Sequence, residues 1–198
     1  LGRPDHTGPT PMQDRRDALL VAARIIAAVN DRVLASAAPA HGSVARMVVE
    51  PNSPNTVAER VELWIELRSG DSDALRRIGD QLTADMAQLA EREGCGIEVV
   101  SREDRRGIVF DPMALGLAKT ALADAGIDFM TLPTIAGHDA IVLQATCPTT
   151  LIFVPSHKGI SHHPEEFTSA EDIGTGFAAM VRVISALISD PDTLAPKG

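Results

Sequence analysis

A strict alternation of apolar and polar residues over positions 60–68 constrains the fold more than any other feature of this chain. A period of two places one set of side chains on each face of a β-strand. One face carries Val61, Leu63, Ile65 and Leu67. The segment therefore predicts a strand with one buried face, while Trp64 and Arg68 project from the opposite face towards a second subunit or a substrate cleft.

Two amphipathic helices are predicted on either side of this strand, because apolar residues recur there at helical spacing. The first covers residues 14–34. Its apolar stripe consists of Leu19, Ala22, Ile26, Val29 and Val33. The second opens at Asp71 and Asp73, which are good capping residues, and ends at Gly94. Its stripe consists of Leu75, Ile78, Leu82, Met86 and Leu89.

Further strands are predicted at residues 43–50 and 96–101, and the chain is expected to begin inside another strand. Residues 1–104 then follow the order β-α-β-β-α-β, with the first strand truncated. This is the order of a ferredoxin-like split βαβ unit, in which two helices cover one face of an antiparallel sheet. The first predicted domain is therefore an α+β unit whose second face is open to a partner.

A charged run at residues 101–106, expected to be a hinge or an ordinary solvated turn, leads into residues 105–198. The elements predicted there are a helix at 112–125, an extended piece at 127–132, a helical stretch opening at 136–140, a buried strand at 151–155, and a helix that Ser169 caps and that runs to about 188. The last helix is expected to bury Ile173, Phe177, Met180, Val181 and Ile184. This α-β-α-β-α order predicts the C-terminal part of an α/β domain whose earlier strands belong to a longer protein.

The composition excludes several classes of partner. A net charge of −9 disfavours nucleic acid and anionic lipid, because both require a basic face. Aromatic residues make up 3% of the 198 positions, too few for stacking on bases. The longest apolar stretch, residues 177–188, is interrupted by Arg182, so no membrane span is expected. Two cysteines without ligand spacing favour a reducing cytoplasm over a disulfide framework.

The strongest chemical pattern in the chain is Gly159-Ile160-Ser161-His162-His163-Pro164-Glu165-Glu166. A histidine that follows a buried strand, with carboxylates close behind, suits a metal site on a rigid element. A His-Pro turn that leads into the last helix explains the same residues, and the local pattern alone favours that alternative. The rest of the chain is needed to decide between the two.

Five motifs in register carry a resemblance to a known family. They are His6-Thr7-Gly8-Pro9-Thr10-Pro11-Met12 with Arg16-Asp17-Ala18, Pro51-Asn52-Ser53-Pro54-Asn55, Leu67-Arg68, Ala136-Gly137-His138-Asp139-Ala140, and Pro155-Ser156 through Gly159-Ile160-Ser161-His162. Their order and spacing resemble the amidase/hydantoinase/carbamoylase family of dinuclear metallohydrolases, which includes N-carbamoyl-L-amino-acid hydrolase, allantoate amidohydrolase and β-ureidopropionase. The resemblance implies a ferredoxin-like dimerisation lid in residues 1–104, followed by the C-terminal part of an α/β zinc-hydrolase catalytic domain in residues 105–198.

The resemblance also implies roles for individual histidines. His162 corresponds to the last metal ligand of the family, with His163 as the alternative after a slip of one residue. His6 corresponds to a lid histidine that reaches the active site of the neighbouring subunit and stabilises an oxyanion. His41 and His157 match no motif and are expected to be surface residues.

Asn55 and Arg68 correspond to the pair that binds the substrate carboxylate in this family. The planar guanidinium of arginine pairs with a carboxylate through two hydrogen bonds, which suits that role. Asn52 is the alternative to Asn55, and a surface salt bridge with Glu62 or Glu66 is the alternative for Arg68.

His138 and Asp139 match a family motif and are expected to orient the cleft or the metal ligands. Ser161 and Gly159 are expected to offer backbone groups to the substrate, since small residues allow close approach.

The implied activity is metal-dependent hydrolysis of the carbamoyl or ureido C–N bond of N-carbamoyl-L-amino acids or allantoate. The implied cofactor is a pair of divalent ions, with zinc favoured over manganese, cobalt or nickel. The other ligands and a catalytic glutamate are expected upstream of residue 1, so the chain alone is expected to be inactive. The expected partners are a small substrate with a carboxylate and a second copy bound through the lid. The alternatives are a non-catalytic lid or dimerisation module, and an aminoacylase or exopeptidase of the same superfamily.

Overall fold

The computed structural model describes residues 1–105 and 107–189. The chain divides into two compact units, Leu1–Gly107 and Ile108–Gly198. We call them the N-terminal unit and the C-terminal unit, and the second is described as far as residue 189. Arg106, the last residue of the predicted hinge, lies outside the described residues.

The N-terminal unit contains two long helices and a two-stranded antiparallel sheet. Its elements are a 3-10 turn (Met12–Asp14), helix α1 (Ala18–Leu34), strand β1 (Ala40–Glu50), strand β2 (Arg60–Ser69) and helix α2 (Ser72–Arg92). The two strands pair along their whole length. The α-β-β-α order predicted from the sequence is confirmed for these residues.

The ends of the helices follow from local chemistry. The Asp17 carboxylate accepts N–H groups from the first turn of α1, and Asp71 does the same for α2. These bonds satisfy donors that the start of a helix leaves unpaired. Helix α2 ends before Gly94 as predicted, since the φ of 61° at Gly94 lets the N–H of Cys95 reach the carbonyl of Ala90 at 2.9 Å.

The core of the N-terminal unit forms where both helices meet the sheet. Val21 and Ile25 of α1 are buried together with Ala90 of α2, and Leu63 and Ile65 of β2 pack against them. The predicted apolar face of β2 therefore points inwards, as its alternation requires.

The predicted apolar stripe of α1 is partly wrong. Leu19 and Ile26 are 40% and 38% exposed, whereas Val21 and Ile25 are buried. Helix α1 is apolar around much of its circumference, so spacing alone does not specify which side faces the sheet. Contact with β2 determines which side of α1 is buried.

The first residues of the chain extend beside the segment that precedes β2. The N–H of Val57 donates to the carbonyl of Asp5 at 2.8 Å, and Leu1 exchanges two backbone hydrogen bonds with Gly96 at 2.7 and 2.8 Å. The strand predicted at 96–101 is wrong for the part of the chain that the structure describes. A strand requires a continuing ladder, and Gly96 has no such continuation among the described residues.

The C-terminal unit consists of helices joined by irregular segments. They are α3 (Pro112–Asp124), α4 (Asp139–Leu143), a 3-10 turn (His157–Gly159) and α5 (Ala170–Ser189). The predicted helices are confirmed, but the buried strand at 151–155 is wrong, since Phe153 and Val154 are 55% and 41% exposed. Neither that segment nor residues 127–132 has a partner strand within the described residues, and a buried strand needs neighbours.

Helix α5 begins as predicted, because the hydroxyl of Ser169 accepts the N–H of Asp172 at 3.0 Å. Its predicted inward side chains are instead exposed. They are Ile173, Phe177, Met180, Val181 and Ile184, with exposed fractions from 43% to 63%. The helix packs against α3, with Ala179 buried, and α3 covers only a narrow side of it within the described residues.

Helix α5 is also long and apolar enough to cross a membrane. An 18-residue window of it has a mean hydropathy of 1.4, with 6% of that window buried. This overturns the expectation that no segment meets those criteria. Core helices of soluble proteins meet them too, so a single helix of this kind is weak support for a membrane location.

Candidate active site

The N-terminal unit brings His6 and Asn55 to one corner. His6 forms an isolated antiparallel bridge with Thr56, and the N–H of Thr7 donates to the carbonyl of Asn55 at 3.1 Å. The N–H of Gly8 donates to Nδ1 of the exposed His6 ring at 2.9 Å. Because Nδ1 is the acceptor in this contact, the neutral ring carries its proton on Nε2.

The side chain of Asn55 is oriented by two hydroxyl groups. Its Oδ1 accepts from Ser53 Oγ at 2.6 Å and from Thr56 Oγ1 at 3.3 Å. No acceptor among residues 1–105 and 107–189 contacts its Nδ2, so the side chain presents N–H donors of the kind that bind a carboxylate. Asn52, the alternative residue, has a φ of 48° and lines a shallow cleft of about 230 Å³.

Arg68 lies near the end of β2, opposite His41 in β1. Its Nη2 donates to Glu66 Oε1 at 2.6 Å, and the two side chains are 38% and 56% exposed. The salt bridge that the sequence left open as an alternative is therefore present. Arg60 pairs with Glu62 in the same way at the other end of the strand. Pairs this exposed are weak. Binding of a substrate carboxylate by Arg68 stays a prediction.

Asn55 and Arg68 are not brought together by one N-terminal unit. Arg60 begins β2 and pairs with Glu50, and Asn55 precedes Arg60 in the connection between the strands. At about 3.3 Å per residue, the distance from Arg60 to Arg68 along β2 is roughly 26 Å. The two predicted carboxylate-binding residues therefore lie at opposite ends of the hairpin.

The C-terminal unit holds His162 in a tight irregular loop. Lys158, Gly159 and His162 have φ values of 55°, 69° and 56°. The main-chain N–H of His162 donates to Glu166 Oε2 at 2.7 Å. A positive φ at a residue other than glycine is uncommon and persists where the surroundings enforce it. The loop therefore fixes the backbone that carries this exposed imidazole.

His163, the alternative metal ligand, has its ring engaged in a different way. The N–H of Glu165 donates to its Nδ1 at 3.1 Å, which places the proton of the neutral ring on Nε2. A metal-binding imidazole keeps one nitrogen unprotonated for the metal and donates its other N–H to an acceptor. His163 meets this requirement only by losing its contact with Glu165, whereas the ring of His162 has no hydrogen bond within the described residues. The geometry favours His162.

His138 acts as the cap of α4. Its Nδ1 accepts the N–H of Ala140 at 3.1 Å, and its ring meets the Phe153 ring edge-on, with centroids 6.5 Å apart. Asp139 is the first residue of α4, and Ser161 is exposed beside the predicted ligand. The roles of these three residues towards a substrate or a metal stay predictions.

No group of three or more His, Cys, Asp or Glu side chains is placed to hold a metal ion in the described parts of the chain. One imidazole does not fit a complete two-metal centre, so such a centre requires ligands from outside these residues.

Sequence reasoning missed one contact in each unit, the one from Gly8 to the His6 ring and the one from His162 to Glu166. The first had a signal, since Gly8 follows His6 by two residues within the first of the five motifs, but its hydrogen bond depends on the conformation of the turn. The second had no signal, because nothing in the sequence specifies the φ of His162.

Comparison with known proteins gives the class. The model described as Peptidase family M20/M25/M40 matches residues 14–186. An N-carbamoyl-L-amino-acid amidohydrolase of Rhizobium meliloti is 35% identical over 180 residues, which cover 90% of this chain and 42% of that protein. An allantoate amidohydrolase of Escherichia coli (strain K12) is 26% identical over 186 residues, which cover 94% of this chain and 45% of that protein.

A solved structure supports the same family assignment. The crystal structure of an amidase of the hydantoinase/carbamoylase family from Burkholderia vietnamiensis matches with a TM-score of 0.88 and 32% identity, over 93% of this chain and 45% of that one. The chain therefore belongs to the M20 peptidase family and, within it, to the hydantoinase/carbamoylase amidases. This confirms the resemblance found in the sequence. The chain spans a little under half the length of these relatives.

Proposed function

We propose that this chain is part of a metal-dependent amidohydrolase that cleaves the carbamoyl or ureido C–N bond of N-carbamoyl-L-amino acids or allantoate. The names of the matched relatives support this reaction class. The observation that carries the proposal is the corner where the N–H of Thr7 binds the carbonyl of Asn55 at 3.1 Å. That bond places the His6 ring and the Asn55 amide, both of them hydrogen-bond donors, on adjoining segments that an isolated bridge between His6 and Thr56 also joins.

The donors of this corner suit the two ends of such a substrate. The Nε2–H of His6 donates to the oxygen that becomes negative in the tetrahedral intermediate, and such donors stabilise the transition state most where charge develops. The Nδ2 group of Asn55 and the guanidinium of Arg68 bind the substrate carboxylate, which selects acids over neutral ureas. The products are ammonia, carbon dioxide and an amino acid, or a ureido acid from allantoate.

The separation of Asn55 from Arg68 supports a dimer. Because one N-terminal unit does not offer both residues to one carboxylate, we assign them to two subunits of a homodimer. In this proposal the N-terminal unit is the ferredoxin-like lid through which the copies associate. The His6 corner of one copy then completes the site in which Arg68 of the other copy binds the substrate.

We assign His162 as the ligand that this chain contributes to a centre of divalent ions, with zinc favoured. Such a centre, when bound, polarises the scissile carbonyl and supplies an activated water. The further ligands are proposed to come from the part of the full-length protein that this chain does not include. His138 and Asp139 are proposed to orient the cleft, Ser161 to contact the substrate, and the protein to act in the cytoplasm.

The test compares the 198-residue chain with its full-length parent. Both are incubated with N-carbamoyl-L-amino acids and with allantoate, and the release of ammonia is measured. We expect turnover by the full-length protein and none by the chain. Turnover by the chain alone would show that its own residues form a complete site, against the assignment of missing ligands.

An exopeptidase or aminoacylase is the second candidate, because the matched family model is described as a peptidase family. Dipeptides and N-acyl amino acids assayed beside the N-carbamoyl acids distinguish the two. Faster hydrolysis of dipeptides would replace the proposed reaction. The full-length protein could also hydrolyse none of these substrates while the chain dimerises. That result would favour the remaining alternative, a non-catalytic dimerisation module.

A further inference from the structure

Three of the six histidines of this chain share one local arrangement. In each, the main-chain N–H of the residue two positions later donates to Nδ1 of the imidazole. The donor–acceptor distance is 2.9 Å for Gly8 and His6, and 3.1 Å both for Ala140 and His138 and for Glu165 and His163. The pattern is the imidazole counterpart of the turn that Asn and Asp form with their own backbone.

The arrangement determines which ring nitrogen carries the proton. A backbone N–H only donates, so Nδ1 must accept and be unprotonated. A neutral imidazole has one proton, which then lies on Nε2. No other assignment of the proton satisfies the contact from Gly8 to His6 at 2.9 Å.

We propose that the main-chain amide of Gly8 is a positioning group that fixes His6 as the Nε2–H tautomer, so that the neutral ring acts as a hydrogen-bond donor to the substrate. The step from tautomer to substrate rests on the function proposed above for His6. In this state Nε2 does not accept a proton and does not bind a metal. His6 is thereby assigned as an electrostatic stabiliser, neither as a general base nor as a ligand.

The size of Gly8 is part of the arrangement. A Cβ added at this position would lie 3.3 Å from both Cε1 and Nδ1 of His6, which is tighter than an ordinary contact. The N–H of Thr10 also returns to the carbonyl of His6 at 3.4 Å, so the turn closes around the ring. The contact involves only the exposed ring of His6, which relieves it by moving a few tenths of an ångström, so an alanine here is expected to keep the hydrogen bond.

The first test is a long-range ¹H–¹⁵N spectrum of the 198-residue chain at about pH 8, where imidazole is neutral. His41, His157 and His162 serve as internal references, since their rings make no hydrogen bond within the described residues. We expect His6 to show an unprotonated Nδ1 and a protonated Nε2, and the references to show mixed tautomers. A protonated Nδ1 at His6, or a mixture like that of the references, would overturn the proposal.

The second test removes the donor. Gly8→Pro lacks the N–H, whereas Gly8→Ala keeps it. We expect the His6 signals to move to the mixed pattern in Gly8→Pro and to stay locked in Gly8→Ala, with His138 and His163 unchanged in both. Retention of the locked pattern in Gly8→Pro would show that the amide does not set the tautomer. Should Gly8→Pro unfold the chain, the spectrum of the unmodified chain still decides.

The third test concerns the reaction. In the full-length enzyme, kcat of Gly8→Pro is expected to be about ten- to hundredfold below that of Gly8→Ala at similar KM, because the donor acts in the transition state. Equal kcat values would refute a catalytic consequence of the tautomer. A locked His6 in an enzyme that does not hydrolyse carbamoyl substrates would instead contradict the proposed function and leave the tautomer assignment intact.

Discussion

Asn55 and Arg68 lie at opposite ends of the β1–β2 hairpin, although both are expected to bind one carboxylate. Since β2 alone separates Arg60 from Arg68 by roughly 26 Å, we propose that Asn55 and Arg68 act on one substrate from two copies of the chain. The separation of the two residues follows from the register of the strands. It makes the proposed dimer testable, because variants at the two positions can be mixed.

We expect the full-length variants Asn55→Ala and Arg68→Ala each to lose most activity, and their equimolar mixture to recover after subunit exchange. About a quarter of the original activity should return, because half of the dimers are mixed and each mixed dimer has one intact site. Ammonia release measures the recovery. The control mixture combines Asn55→Ala with His6→Ala, which change the same corner and should restore nothing. Equal recovery in both mixtures would contradict a site shared in this way.

Arg68→Ala is expected to raise KM for carboxylate substrates by about ten- to hundredfold, since a hydrogen bond between charged groups contributes roughly 1.5–3 kcal/mol. Arg60→Ala is the matched control, because it removes the same kind of ion pair from the same strand, the one with Glu62. Its KM should stay close to that of the unmodified enzyme. If steady-state kinetics show the same rise in both variants, carboxylate binding by Arg68 is the wrong explanation.

His162→Ala should weaken metal binding by the full-length protein at least about tenfold, while His163→Ala should leave the metal content unchanged. The reason is the contact from Glu165 to Nδ1 of His163, which gives that ring the wrong tautomer for a ligand. Metal content is measured by mass spectrometry after dialysis against a competing chelator. The reverse result would move the ligand assignment to His163.

Asp85→Asn should lower the melting temperature of the chain near neutral pH by a few degrees. Arg32 binds this carboxylate through Nε and Nη2, at 2.6 Å each, and these hydrogen bonds lower the pKa of Asp85 below its usual value. A lowered pKa in the folded state means that the stabilisation is present above the usual aspartate pKa and is lost as the pH falls through the folded-state value.

Thermal unfolding followed by circular dichroism at several pH values checks this dependence. The difference between Asp85→Asn and the unmodified chain should shrink as the solution is made acidic. Glu103→Gln serves as the control, since its pair with Arg105 is largely exposed and should contribute little at any pH. A difference that does not change with pH would point to lost packing of Asp85 and not to its charge.

Local elements of the fold follow from short-range chemistry in the sequence. The alternation over residues 60–68 predicts β2 and its buried face, because the period of side chains on a strand depends only on the backbone. Asp71 and Gly94 predict the ends of α2, because capping bonds join residues within a few positions. The same reasoning fails at 96–101 and 151–155, where strand formation depends on a partner that the described residues do not supply.

The sequence by itself determined the family, the helices and the paired strands, and its motifs in register predicted functional roles for His6, Asn55, Arg68 and His162. Tertiary structure alone decided which side of α1 is buried and that Asn55 and Arg68 lie at opposite ends of the β1–β2 hairpin, while the conformation of a local turn decided that the amide of Gly8 holds His6. The physical reason is the sequence separation over which each kind of interaction acts. Periodicity and caps act over a few residues, whereas burial and the distance between two strand ends depend on which distant backbone each segment meets.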